Sequence, residues 1–158
     1  MKYLFILIFF PLICFGQYSD DDVYVIKKDS SYEHDYDPMD LDETTFVYSK
    51  SDDKLLNGYV IEKLYGSSTK SYFKNGLRHG KEINKSFGQG SHNTGELISK
   101  SEFNYSYGIR IGWLKCYWLD EKSNTLKLTM KVFYKNGRKT GKEEHFDLEG
   151  NITRVVNY

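Results

Sequence analysis

Proline and cysteine are scarce in this chain, with 2 of each among 158 residues. Cys14 lies beside the apolar N-terminal run, which leaves Cys116 as the lone thiol of everything that follows. No intramolecular disulfide is available to that part, so packing and backbone pairing must hold it together. Cys116 is expected as a small strand residue rather than a reactive thiol. Long apolar runs are missing too. The longest, Tyr3 to Phe10, stops at Pro11, far short of the roughly 20 residues that span a bilayer. Nowhere do apolar residues recur at helical spacing for three turns, which argues against amphipathic helices. Net charge is also absent, since 22 basic and 22 acidic residues cancel.

The signatures of chemistry are equally thin. There is no Gly-x-Ser-x-Gly elbow, no phosphate-binding loop and no Ser/His/Asp series to follow. His34, His79, His92 and His145 show no metal-ligand spacing. The acidic stretch Asp35 to Asp42 misses the calcium-loop pattern and carries Pro38 where such a loop needs freedom. It reads as a solvated tether. Glu143-Glu144 reads as a solvated pair rather than an acid/base dyad. No enzyme, cofactor, metal or nucleic-acid partner is expected.

What is present begins with a leader. Lys2, the apolar run, and Cys14-Phe15-Gly16 before Gln17 have the layout of a secretory signal cleaved after Gly16. Residues 1–16 are therefore expected to be removed on export to a bacterial periplasm or beyond, with no membrane-integral segment left. Residues 17–43 then hold ten acids against Lys27 and Lys28, whereas residues 44–158 hold nineteen Lys and Arg against twelve acids. The acidic leader, extended and only partly ordered, is expected to fold back on the basic body by charge. Val23 to Ile26 is its one candidate strand, expected at a sheet edge.

The body, 44–158, repeats itself. Tyr72-Phe73-Lys74-Asn75-Gly76-Leu77-Arg78-His79-Gly80 returns as Phe133-Tyr134-Lys135-Asn136-Gly137-Arg138-Lys139-Thr140-Gly141. A third copy, Asn104 to Gly112, keeps Gly108 and Gly112 four apart. Asn-Gly flanked by aromatic and β-branched runs is the strongest short signal for a hairpin, because its turn needs positive φ at both positions. Gly58, Gly80, Gly112 and Gly141 should open the return strands. Counting from them, ten of sixteen residues at odd offsets are apolar or aromatic, against five of twelve at even offsets. The odd face, with Tyr59, Ile61, Ile83, Trp113, Tyr117 and Phe146, is thus expected to be the buried one. The segment 113–118 is expected to be buried on both sides. The chain reads as an all-β meander of antiparallel hairpins forming one twisted, elongated sheet.

These residues resemble the variant MORN repeat, most closely at Tyr134 to Gly141, at Gly112-Trp113 followed by Tyr117-Trp118, and at Tyr72 to Gly80. The resemblance covers roughly 44–158, and proteins of this type are grouped with the YwqK-like antitoxins. It implies a ribbon of hairpins and, for function, neutralisation of a toxin by protein contact.

Tyr105, Tyr107, Trp113, Tyr117 and Trp118, interleaved with Arg110 and Lys115, form the candidate recognition surface. Tyr, Trp and Arg dominate interface energetics, although many such aromatics simply cover a sheet face. The expected function is protein binding by an exported repeat protein. The alternatives are capture of anionic glycan or lipid headgroups at the cell envelope, and a structural envelope role.

Overall fold

A computed structural model describes residues 16–27, 33–35, 45–88 and 95–158. Strand makes up 71% of the structure and helix 3%. The chain runs through β1 (Gly16–Ser19), β2 (Val23–Lys27), β3 (Glu33–Asp35), β4 (Thr45–Ser49), β5 (Gly58–Leu64), β6 (Ser67–Lys74) and β7 (Leu77–Arg78). It continues through β8 (Gly80–Phe87), β9 (Leu97–Ser106), β10 (Ile109–Arg110), β11 (Gly112–Asp120), β12 (Thr125–Lys135), β13 (Arg138–Phe146) and β14 (Ile152–Asn157). One open, twisted sheet has the order β1-β5-β6-β8-β9-β11-β12-β13-β14, with β7 on β6 and β10 on β9. From β5 onward it is an antiparallel meander. The exception is β1, which lies parallel to β5 with Gly16 opposite Gly58, so the sheet is mixed.

The hairpin turns follow from residue type. Asn75-Gly76 has φ of 51° and 74°, Asn136-Gly137 50° and 77°, and Tyr107-Gly108 48° and 84°. Positive φ at both central positions matches the right-handed strand twist, which makes the turn two residues long. Four residues further on, Gly80, Gly112 and Gly141 again take positive φ, near 70°. There the returning strand carries extra chain: residues 79–82 face only 71–72, between the pairs Phe73/Arg78 and Lys70/Ile83. The same excess follows Gly112 and Gly141. Gly58, Gly80 and Gly112 open β5, β8 and β11 as expected, while Gly141 falls inside β13. Adjacent repeats are tied at these turns, because Gly108 N–H donates to the Arg78 carbonyl (2.8 Å) and Gly137 N–H to that of Arg110 (3.0 Å).

Burial reverses the expected face. Every buried residue of the four offset series lies at an even offset: Val60, Glu62, Glu82, Leu114 and Glu143. The odd-offset aromatics are half-buried or exposed, and Trp113 and Trp118 are both exposed, so 113–118 is not covered on two sides. Apolar counting failed here because the covered face is built largely from paired polar groups and tyrosines. Its two apolar clusters are Val23, Val47, Leu56, Val60 and Phe73 at one end, and Leu114, Val132 and Tyr134 further along.

The leader also differs from expectation. β2 is the central strand of a second, three-stranded sheet, β3-β2-β4, not an edge. Its first residue, Val23, is fully buried, and Tyr18 of β1 packs on the same cluster. The described part of the leader therefore docks by backbone pairing and apolar burial.

Two glycine substitutions should separate space from backbone strain. At Gly76 a Cβ would meet the Val47 carbonyl oxygen at 2.9 Å and Leu55 Cδ2 at 2.7 Å, on top of a φ of +74°. At Gly141 nothing lies within 4 Å and only φ resists. Gly141→Ala is expected to cost about 1–2 kcal/mol, and Gly76→Ala clearly more, because backbone must also shift. Urea midpoints of the two variants check this; equal losses would contradict it.

Candidate functional site

The bulges set the chemistry of the covered face. Two residues after each turn glycine stands a cation, Arg78, Arg110 or Lys139, and each lies on an aromatic ring. The Arg78 guanidinium is 5.2 Å from the centre of Tyr105, and the Lys139 ammonium is 5.0 Å from that of Tyr158. Arg110 lies 5.0 Å from Phe103 and 5.8 Å from both Tyr105 and Tyr134. Such contacts contribute about 0.5–2 kcal/mol each, more where water is excluded.

Two of the three cations also meet a carboxylate. Arg78 Nε is 3.0 Å from Glu82 Oε2, both side chains buried, and Ser71 Oγ donates to that oxygen at 2.7 Å. Lys139 Nζ is 2.6 Å from Glu143 Oε2, which also accepts from the Tyr158 hydroxyl at 2.9 Å. His145 Nε2 completes the cluster, 2.8 Å from Glu143 Oε1. Glu143 is thus buried and paired, and not solvated as its sequence context implied, while Glu144 points to the opposite face and pairs with Lys131 at 2.7 Å. Cys116 is half-buried on the covered face; burial, with the Glu143 charge second, pushes its thiol above its ordinary range. That disfavours the reactive thiolate.

The opposite face is lysine-rich. Cross-strand register puts Lys70, Lys81, Lys85, Lys100, Lys115 and Lys131 on it, and Glu102 and Glu144 are the carboxylates that share it in β8 to β13. Lys85 stands directly opposite Lys100, and Lys115 opposite Lys131. Like charges so placed oppose pairing. Glu102 relieves Lys100 and Lys81, at 2.9 and 3.0 Å, but no carboxylate among the described residues pairs with Lys85 or Lys115. Aromatics separate the lysines: Trp113 meets Phe133 edge-on at 5.3 Å, Lys131 lies over Trp113, and Lys100 over Tyr117. Further along, Tyr59, Lys70, Tyr72, Lys81 and Ile83 line a shallow recess of about 270 Å³.

Strand alternation divides the seven residues singled out from the sequence. Trp113, Lys115 and Tyr117 share the lysine face. Tyr105 and Arg110, paired across β9 and β10, belong to the covered face, with Trp118 toward its far end. Tyr107 sits in a turn with its ring 4.7 Å from His79. Sequence reasoning missed the ladder partners Arg78, Lys139, Glu82 and Glu143. Their signal was available, because a cation recurs at the same place after each turn glycine.

His34 is described by its backbone alone, and His92 and residues 36–44 lie outside the described residues. Among the described residues no cluster of ligand-type side chains could hold a metal ion, and no helix is long and apolar enough to cross a membrane. Comparison of the chain with protein-family models, curated proteins and solved structures gives no match.

The Glu143 cluster carries a pH dependence. Hydrogen bonds from Lys139 and then Tyr158 outweigh burial and lower its carboxyl to about 2 from an ordinary 4.5. A depressed folded-state value means stability fully present above 4.5 and lost as pH falls toward 2. Because the Lys139 side chain is 35% exposed, solvent screening trims the effect, leaving about 1–2 kcal/mol. Denaturant melts between pH 5 and 2 should show this loss in the native chain and a flatter profile in Glu143→Gln. Parallel profiles would show that the acid sensitivity arises elsewhere.

Proposed function

We propose that this chain is an exported, non-catalytic repeat protein that binds another protein through its lysine–aromatic face. The observation that carries the reading is the Trp113/Phe133 pair, 43% and 36% exposed on a strand face and flanked by lysines. Rigid exposed aromatics beside cations are what interface anchors require, since little side-chain entropy remains to be lost on binding. The excess of lysine points to a partner with an acidic surface. The MORN-like spacing of the glycines and aromatics favours an antitoxin-like form of this role, in which the sheet covers a toxin's working surface. Export rests on the signal-like layout of residues 1–16.

Recovery of partners from the native cell envelope tests the reading. Trp113→Ala and Lys115→Glu should each lose the partner, whereas Trp118→Ala, altered on the other face, should retain it. Recovery by all three would reject this face as the contact.

A second reading, binding of anionic glycan or lipid headgroups, is favoured by one specific observation: the opposed pairs Lys85/Lys100 and Lys115/Lys131. An anion bridging each pair would relieve their repulsion. Co-sedimentation with anionic vesicles or polysaccharide should then fade between 0.1 and 1 M salt, as the screening length shrinks from about 10 to about 3 Å. Salt-independent co-sedimentation would leave the protein-binding reading alone.

A further inference from the structure

The three repeats set up one position identically and fill it differently. In the first, the cation after the turn glycine, Arg78, meets the carboxylate four residues on, Glu82. In the third, Lys139 meets Glu143 in the same way. In the middle repeat the cation is Arg110, and the residue four on is Leu114, buried against Val132 and Tyr134. Among the described residues no carboxylate replaces it. Arg110 also differs in exposure: Arg78 is buried, whereas Arg110 is open to solvent.

The Arg110 guanidinium is nonetheless held in place. Its Nε donates to the Tyr105 hydroxyl at 3.1 Å, and the rings of Phe103, Tyr105 and Tyr134 lie 5.0 to 5.8 Å from its centre. Partial burial works against its charge, but hydrogen bonds to Tyr105 and then Tyr134 outweigh that and hold it more firmly protonated. A guanidinium has five N–H donors in a planar fork, matched to the two oxygens of a carboxylate. Here stacking has already fixed the fork, so a ligand need not order it.

We propose that Arg110, with Phe103, Tyr105 and Tyr134 around it, is a receptor for a glutamate or aspartate side chain of an acidic peptide segment, which supplies from outside the carboxylate that the flanking repeats supply from within. The site lies on the face opposite Trp113 and stands independently of the lysine–aromatic reading.

The test uses the full chain at fixed ionic strength and follows the Arg110 Nε–Hε and the Tyr105 and Tyr134 ring signals by NMR. The probes are an acetylated, amidated peptide with two adjacent glutamates, its diglutamine counterpart, and inorganic phosphate. The glutamate peptide should shift these signals saturably and the glutamine peptide should not. Arg110→Gln should weaken binding at least about tenfold, and Trp113→Ala should leave it unchanged. Leu114→Glu should abolish the response by filling the position internally; because Leu114 is buried, Arg110→Gln decides alone if that variant does not fold. An absent shift, equal affinity in Arg110→Gln, or tighter binding of phosphate than of the glutamate peptide would overturn the assignment.

Discussion

Along an unbroken strand, side chains four residues apart stand about 13 Å apart and cannot touch. In this sheet Arg78 reaches Glu82, and Lys139 reaches Glu143, because a left-handed glycine lies between each pair and shortens the path. The extra chain is even in number, so the residues on either side of the bulge return to the same face. That geometry allows acids onto a covered face. A buried Glu82 whose partner was removed would cost about 3–5 kcal/mol, and the bulge delivers its partner from within the same repeat. The stacked rings follow in turn, since the next repeat's tyrosine lies beneath the cation so placed.

A sheet without a helical layer must cover its faces largely with its own side chains, helped at one end by Val23 and Val47 of the smaller sheet, and the two faces do so by opposite means. One closes over charge: Arg78 is paired with Glu82 and Lys139 with Glu143, each cation lying on a tyrosine ring. The other stays open, with lysine ammonium groups over aromatic rings: Lys70 on Tyr59, Lys100 on Tyr117 and Lys131 on Trp113. The first arrangement stabilises and fixes register. The second leaves charge and aromatic surface exposed, at the cost of repulsion between opposed lysines.

Much of this was legible in the sequence. Asn75-Gly76 and Asn136-Gly137 specify their turns almost unaided, because few other pairs accept positive φ twice. The repeat spacing gave the meander and the positions of β5, β8 and β11. The choice of buried face was not legible by counting apolar residues, because Glu62, Glu82 and Glu143 are buried there while Trp113 and Phe133 are not. Burial of Glu82 and Glu143 depends on pairs that form only after the bulge. The parallel β1 was also hidden, since Gly16–Ser19 pairs with β5 from 42 residues away in sequence, across a second sheet that local pattern does not announce. As for the candidate surface, the seven residues were chosen by proximity in sequence. Period-2 alternation then sent Trp113 and Arg110 to opposite faces.

In a repeat array, positions kept from copy to copy serve the stacking, and departures need another reason. The kept set here is the turn, the bulge glycine, the cation and its ring. Departures gather in the middle copy. There Tyr107 replaces the turn asparagine, Leu114 replaces the ladder acid, and Trp113, the indole of the exposed aromatic pair, stands immediately before that leucine. Leu114 does serve packing, since it joins Val132 and Tyr134 in an apolar cluster that neither flanking repeat builds at the equivalent place. Packing explains the leucine but not the retained arginine: a cation without its carboxylate adds nothing to an apolar cluster that a neutral side chain on the same rings would not. Keeping Arg110 while losing its acid therefore marks β10 and β11 as the part of the sheet where stability alone does not account for the residues present.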